Sequence, residues 1–237
     1  MTMKLVSSMA LILGTGALLT ACDIEQPSAG CIVQDSASWI ATYTLKENQP
    51  TCAATLPAGE TVGVFKFTDP NKENSALLTL RPNGLASRAT RDPGDPSLQT
   101  ARGSLSAEPD AEFFCTAQTL SDAMVDTTAS ATGDKTQITY KFANVKVFSH
   151  PAAPGTQMKA DVTYTRDACT AEYKMNAMWP ARPCDPNELA KPEDERDLSL
   201  LCGPGSFINP DFKVKCHETL KICVVDGDVP AFKKPLN

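Results

Sequence analysis

An alternation of period two over residues 158–177 constrains this chain more than any other feature. Met158, Ala160, Val162 and Tyr164 alternate with Lys159, Asp161, Thr163 and Thr165. After Arg166-Asp167, the residues Cys169, Ala171, Tyr173, Met175 and Ala177 alternate with Thr170, Glu172, Lys174 and Asn176. Successive strand side chains point to opposite faces, so the pattern predicts an antiparallel hairpin with one buried face and one wet face. Upstream, Ile138, Tyr140 and Phe142 share one parity, whereas Val145 and Val147 take the other. A one-residue slip reverses every side chain, so the change near Asn144 predicts a β-bulge or a crossing between sheets. Shorter strands are expected at roughly Trp39–Leu45, Thr61–Phe67, Ala76–Leu80 before a Pro82-Asn83-Gly84 turn, Leu98–Ser106 and Glu112–Leu120. With Pro- and Gly-bearing loops such as Asp92-Pro93-Gly94-Asp95-Pro96 between them, about eight strands are expected. That spacing implies a mainly β fold, either an antiparallel sandwich or an up-and-down barrel, and leaves the two open. Trp39 and Trp179 are expected as core anchors.

The N-terminus has a different grammar. Lys4 supplies a positive start, Leu5 to Leu19 is apolar apart from a few Ser and Gly, and small residues follow. This is the layout of a secretory signal, too short for a spanning helix, which needs about 20 apolar residues. Leu19-Thr20-Ala21-Cys22 resembles the lipobox of bacterial lipoproteins. The resemblance implies cleavage between Ala21 and Cys22, lipidation of the Cys22 thiol, and attachment to a membrane through acyl chains. At about 0.8 kcal/mol per buried methylene, two or three chains hold a soluble domain where one would hold it only marginally. In the lipoproteins of enteric bacteria an Asp after the modified Cys favours the inner membrane, and Asp23 stands there. The expected organisation is a signal at 1–21, lipidated Cys and polar tether at 22–30, a β-rich domain at 31–183 and a Cys-rich C-terminal extension at 184–237.

Nine cysteines occur, and setting aside Cys22 leaves Cys31, Cys52, Cys115, Cys169, Cys184, Cys202, Cys216 and Cys223. An even number in an exported chain predicts a disulfide framework. Eight thiols allow 105 pairings; closure of short loops favours Cys216–Cys223 across a hairpin stem and Cys184–Cys202 around a Pro- and charge-rich excursion. Cys31–Cys52 and Cys115–Cys169 are the pairings then expected in the body. A short helix from Asn187 is expected to stop at Pro192.

The composition argues against nucleic acid: 22 basic residues face 28 acidic ones, a net charge of −6, with no basic patch. Neither His150 nor His217 sits in a recognised motif, and no GxSxG elbow, SxxK or Walker loop appears. The metal candidates are Cys216-His217-Glu218 with Cys223, the Asp226-Gly227-Asp228 turn and the Asp92–Asp95 loop. They are better read as a bridge and as solvated turns, and Glu193-Asp194-Glu195 as a wet surface. No metal or cofactor is expected.

The run from Cys169-x-Ala171-x-Tyr173 through Pro180 to Cys184 is similar to segments in cysteine-rich lipoproteins of myxobacteria. So is the tail from Ile208-Asn209-Pro210-Asp211-Phe212 to Cys216 and Cys223-Val224. That resemblance implies an envelope component and no particular chemistry. The expectation is a lipid-anchored, non-enzymatic structural or partner-binding module of the cell envelope. The alternative is a lipocalin-like carrier with a small apolar ligand inside the barrel, and a hydrolase with a scattered site ranks third.

Overall fold

The computed structural model describes residues 30–52, 57–68, 71, 76–131 and 133–236. Ala21, Cys22 and Asp23 therefore lie outside the described residues. Nine strands form the main sheet: β1 (Ser36–Leu45), β2 (Gly59–Thr68), β3 (Ala76–Pro82), β4 (Ala101–Leu105), β5 (Phe114–Gln118), β6 (Ala123–Thr127), β7 (Thr136–His150), β8 (Ala153–Arg166) and β9 (Cys169–Met178). Each pairs antiparallel with its neighbours, and β9 returns to β1. β5 runs along the end of β7 (Phe114 opposite Phe148) and β6 along its beginning (Ala123 opposite Tyr140). The two thus act as one interrupted strand, and the β5–β7 pairing closes an eight-membered up-and-down ring. The barrel is favoured over the sandwich by that closure, which leaves no long unpaired edge.

The reversal of parity in β7 is a bulge: the register with β8 shifts between Ala143 and Lys146, and Asn144 takes φ 51°. Elsewhere, turn chemistry trims the expected strands. Pro96–Gln99 forms a single 3-10 turn capped by the Asp95 carboxylate, so β4 starts at Ala101 rather than Leu98. Phe113 and Thr119, both at positive φ, bracket β5 and shorten the expected Glu112–Leu120 segment. β6, only five residues long, is a strand beyond those expected from the sequence. Pro82-Asn83-Gly84 is not a turn but the entry to a one-turn helix, α1 (Asn83–Ala86). The helix expected from Asn187 is a three-residue 3-10 turn, Glu188–Ala190.

Side chains of the inward parity fill the barrel. Trp39, Val62, Val64, Leu78, Leu80, Val147 and Met158 are fully buried there, joined by Tyr140, Val162 and Tyr173. The Trp39 indole N–H donates to the Gln34 carbonyl at 2.8 Å, satisfying its polar edge. Trp179 is partly buried against the same core. One barrel end is covered by α1, which inserts Leu85. At the other end lies the segment leading into β1, where Cys31 is bonded to Cys115 of β5 and the Lys66 ammonium donates to the Cys31 carbonyl.

The expected wet face is only partly wet. Ile40, Phe114, Phe148 and Met178 point outward near the Cys31 end, and the extension buries them beneath Ile208, Phe212, Val224, Val229 and Ala231. Gln157 fastens this layer by accepting from the Ala231 N–H at 2.8 Å and donating to the Ala231 carbonyl at 3.2 Å. The Lys159 ammonium adds a bond to the Val229 carbonyl at 3.1 Å and lies 4.2 Å from the Phe114 ring centroid. Within the extension, β10 (Val214–Cys216) and β11 (Cys223–Val225) make a small hairpin.

The disulfides are Cys31–Cys115, Cys52–Cys169, Cys184–Cys216 and Cys202–Cys223. None of the expected partnerships Cys31–Cys52, Cys115–Cys169, Cys184–Cys202 and Cys216–Cys223 occurs. Cys216 and Cys223 do face each other across the hairpin, but each sulfur is taken by another element. Residues 182–184 lie beside β11, with Cys184 N–H donating to Lys221 O and Cys223 N–H to Arg182 O, and this carries Cys184 to Cys216. Short-loop closure governs the unfolded chain, whereas a bridge requires Cα atoms about 4.4–6.8 Å apart in the fold. In this fold Cys31 and Cys115 are 5.7 Å apart across 84 residues of sequence.

Candidate functional site

The most concentrated polar chemistry lies inside the barrel beneath α1. Glu60 shares the inward parity of Val62 and Val64, so β2 carries a carboxylate into the core. Tyr140 of β7 and Tyr43 of β1 donate their hydroxyls to Glu60 Oε1 at 2.7 and 3.0 Å, and the Gly84 N–H donates to Oε2. A side chain at position 84 would place its Cβ 2.6 Å from the Tyr140 hydroxyl, so glycine is required there. The Arg88 guanidinium holds the Gly84 carbonyl at 2.8 Å. Burial pushes the Glu60 carboxyl above its ordinary range despite the opposing hydrogen bonds, and burial, with the nearby Glu60 charge, pushes both tyrosines up. The cluster is a sealed clamp that ties the α1 lid to three strands. The sequence signal for it is a glutamate on the apolar parity of a strand, which belongs to no recognised motif.

Among the described residues, two of the clefts outside the barrel bear on function. The larger, of about 500 Å³, is lined among others by Glu112, Phe113, His150, Phe232, Lys233 and Lys234. It brings a histidine and a carboxylate to one surface, the arrangement a scattered hydrolase would need. Its described lining, however, holds no Ser, Thr, Cys or Tyr, so it offers no hydroxyl or thiol nucleophile beside His150. His150 is held in place, with Nδ1 accepting the Ala152 N–H at 3.1 Å and its ring stacked on Phe148 at 5.8 Å. The smaller cleft, about 380 Å³, follows the β7 bulge and is lined by charged groups including Lys146, Lys159, Asp161 and Lys174. There Asp161 is held below the usual carboxylate range by the Asn144 amide at 2.6 Å and the Lys46 ammonium at 2.9 Å.

The other candidates are accounted for by local structure. His217 Nδ1 accepts the N–H groups of Thr219 and Leu220 in the β10–β11 turn. Asp92 and Asp95 accept from their own loop, at Gly94 N–H and Ser97 N–H. Asp226 pairs with Lys215 at 3.1 Å and Lys213 at 3.5 Å, and Glu193–Glu195 is an exposed 3-10 turn. The sulfurs of Cys184, Cys202 and Cys223 come within 4.8 Å of one another, but each belongs to a disulfide and offers no thiolate to a metal. No helix among the described residues is long and apolar enough to cross a membrane.

Comparison with known proteins matches the barrel first. The family model MlpA covers residues 37–180, from the start of β1 to just beyond β9. A protein of the myxobacterium Myxococcus xanthus, named "Putative lipoprotein MlpA", is 40% identical over 244 residues, taking in 98% of this chain and all of that protein. No solved structure matches. Similarity to this myxobacterial protein thus extends over almost the whole sequence, well past the Cys-bearing segments 169–184 and 208–224. By the extent of both matches, the chain belongs to the MlpA family.

Proposed function

We propose that this protein is a lipid-anchored component of the bacterial cell envelope, cut between Ala21 and Cys22 and acylated on Cys22, whose barrel is a structural or partner-binding module. The anchor reading is supported by Leu19-Thr20-Ala21-Cys22 together with a relative of matching length that carries the name of a lipoprotein. The observation that carries the module reading is the filled barrel. A carrier needs an apolar cavity of about 300 Å³ or more, whereas Trp39, Tyr140, Met158 and their neighbours occupy this interior and both ends are covered. Binding therefore falls to the outer surface.

Metabolic labelling with a radioactive fatty acid tests the anchor. Wild-type chain takes up label and loses its signal, and Cys22→Ser retains the signal without label. Equal label in the variant refutes acylation at Cys22. Native mass spectrometry of the purified mature protein tests the module reading: a bare mass is expected, and a reproducible bound small molecule would return the carrier to first place.

A further inference from the structure

The apolar surface left uncovered is concentrated at the barrel end where the chain arrives from Cys22. Among the described residues ten large hydrophobic side chains are exposed, and five of them, Ile32, Phe65, Phe67, Leu77 and Phe113, lie at or near this end. Phe67 and Leu77 are 56% and 46% exposed and face each other across β2 and β3, on the outer side of the last rungs of that hairpin. Phe113, 42% exposed, precedes β5, and Ile32, 39% exposed, follows the Cys31 bridge. The chain is pinned at this rim. Cys31 is disulfide-bonded to Cys115, its N–H donates to Ala107 O at 2.8 Å and its carbonyl accepts from Lys66.

From this geometry we infer that the rim bearing Ile32, Phe67, Leu77 and Phe113 rests in the lipid interface, so that the barrel stands end-on to the membrane. The inference rests on the lipid anchor proposed above. Residues 23–30 span at most about 28 Å when extended. The ten residues of β1 run about 33 Å along the strand away from this rim and toward the α1 end, which a tilt of about 35–45° reduces to about 25 Å along the barrel axis. Because the tether joins the barrel at the pinned Cys31, it brings this end toward the acylated residue. The side chains presented there are those that partition into the headgroup and acyl boundary, to a depth of about 5–10 Å. Charges of both signs surround the rim, with Lys233 and Lys234 alongside Glu112 in the adjoining cleft. Contact is therefore driven by apolar burial and requires no anionic lipid.

The acylated protein, isolated from membranes and reconstituted into phosphatidylcholine vesicles with or without brominated acyl chains, tests this. Phe67→Trp reports from the rim and Leu45→Trp from the opposite end, with the parent subtracting Trp39 and Trp179. Brominated lipid is expected to reduce the emission from position 67 on the order of twofold and to leave position 45 unchanged, as for a side chain at interfacial depth. Intact mass and vesicle flotation are read on the same samples. If the protein is acylated and floats but position 67 is unquenched, or both positions are quenched alike, the end-on rim is overturned while the anchor stands. An unquenched rim in a sample that sediments as a dimer would assign it instead to contact between copies. A chain without acyl mass that does not float overturns the anchor, and the rim with it.

Discussion

The barrel and the C-terminal extension are held by different forces. In the barrel, long antiparallel ladders such as β7–β8 and β8–β9 satisfy the backbone, and a continuous set of buried side chains from every strand fills the interior. The extension has two three-residue strands, three single 3-10 turns and no interior of its own. It borrows Ile40, Phe114, Phe148 and Met178 from the outside of the barrel and is closed on itself by two disulfides. A segment of some fifty residues buries too little surface to order itself, so cross-links and a host surface replace a core.

The comparison breaks most visibly at Trp39. It is fully buried in the barrel, and Trp39→Ala removes its packing and its bond to Gln34, so a loss of about 3–5 kcal/mol in urea unfolding is expected. Because the extension packs on the barrel wall, protease resistance of residues 184–236 should fall together with it. A variant that loosens the barrel and leaves the extension protected would show the extension to be self-standing. Next in size, Cys202→Ala with Cys223→Ala opens a loop of 21 residues, worth about 3 kcal/mol in the chain-entropy model. Hydrogen exchange should rise across the extension while the β7–β9 ladders stay protected. Equal exposure of both regions would show that the barrel and the extension open as one unit.

The smallest effect sharpens the account of the barrel itself. Burial raises the Glu60 carboxyl above its ordinary 4.5, so the folded form binds this proton more tightly than the unfolded chain does. The stability owed to this group is complete at pH below 4.5 and is lost as pH rises through the raised folded value. Glu60→Gln removes that dependence. The stability of the variant relative to wild type should increase between acid and neutral pH, and a constant difference across the range would show that burial does not govern this carboxyl.

Much of the barrel was legible because strand periodicity depends on residues adjacent in sequence. The β8–β9 hairpin, the inward set from Met158 to Tyr164 and the change of parity at Asn144 all follow from alternation alone, and the register with β8 makes that change a bulge. Helical and turn edits at Pro82-Asn83-Gly84 and Pro96–Gln99 were harder to foresee, because capping and backbone hydrogen bonds there compete with strand propensity. The outward apolar residues Ile40, Phe148 and Met178 were the signal for a covering layer. Each is unremarkable alone and meaningful only as a set, and the set forms only when β1, β7 and β9 come side by side.

The sequence by itself determined the mainly β architecture, the parity of its longest strands, the lipobox-like run of contiguous residues on which the proposed anchor rests, and a cysteine number suited to bridges. Tertiary structure decided that the ring closes through β5 and β7, that Cys31 finds Cys115 rather than Cys52, that Glu60 meets Tyr43 and Tyr140, and that exposed Phe67 and Leu77 share a rim with Cys31. The division has one physical cause: local pattern fixes which way a side chain points, but which distant side chain it meets depends on strand order and register, and these are set only when the whole chain packs.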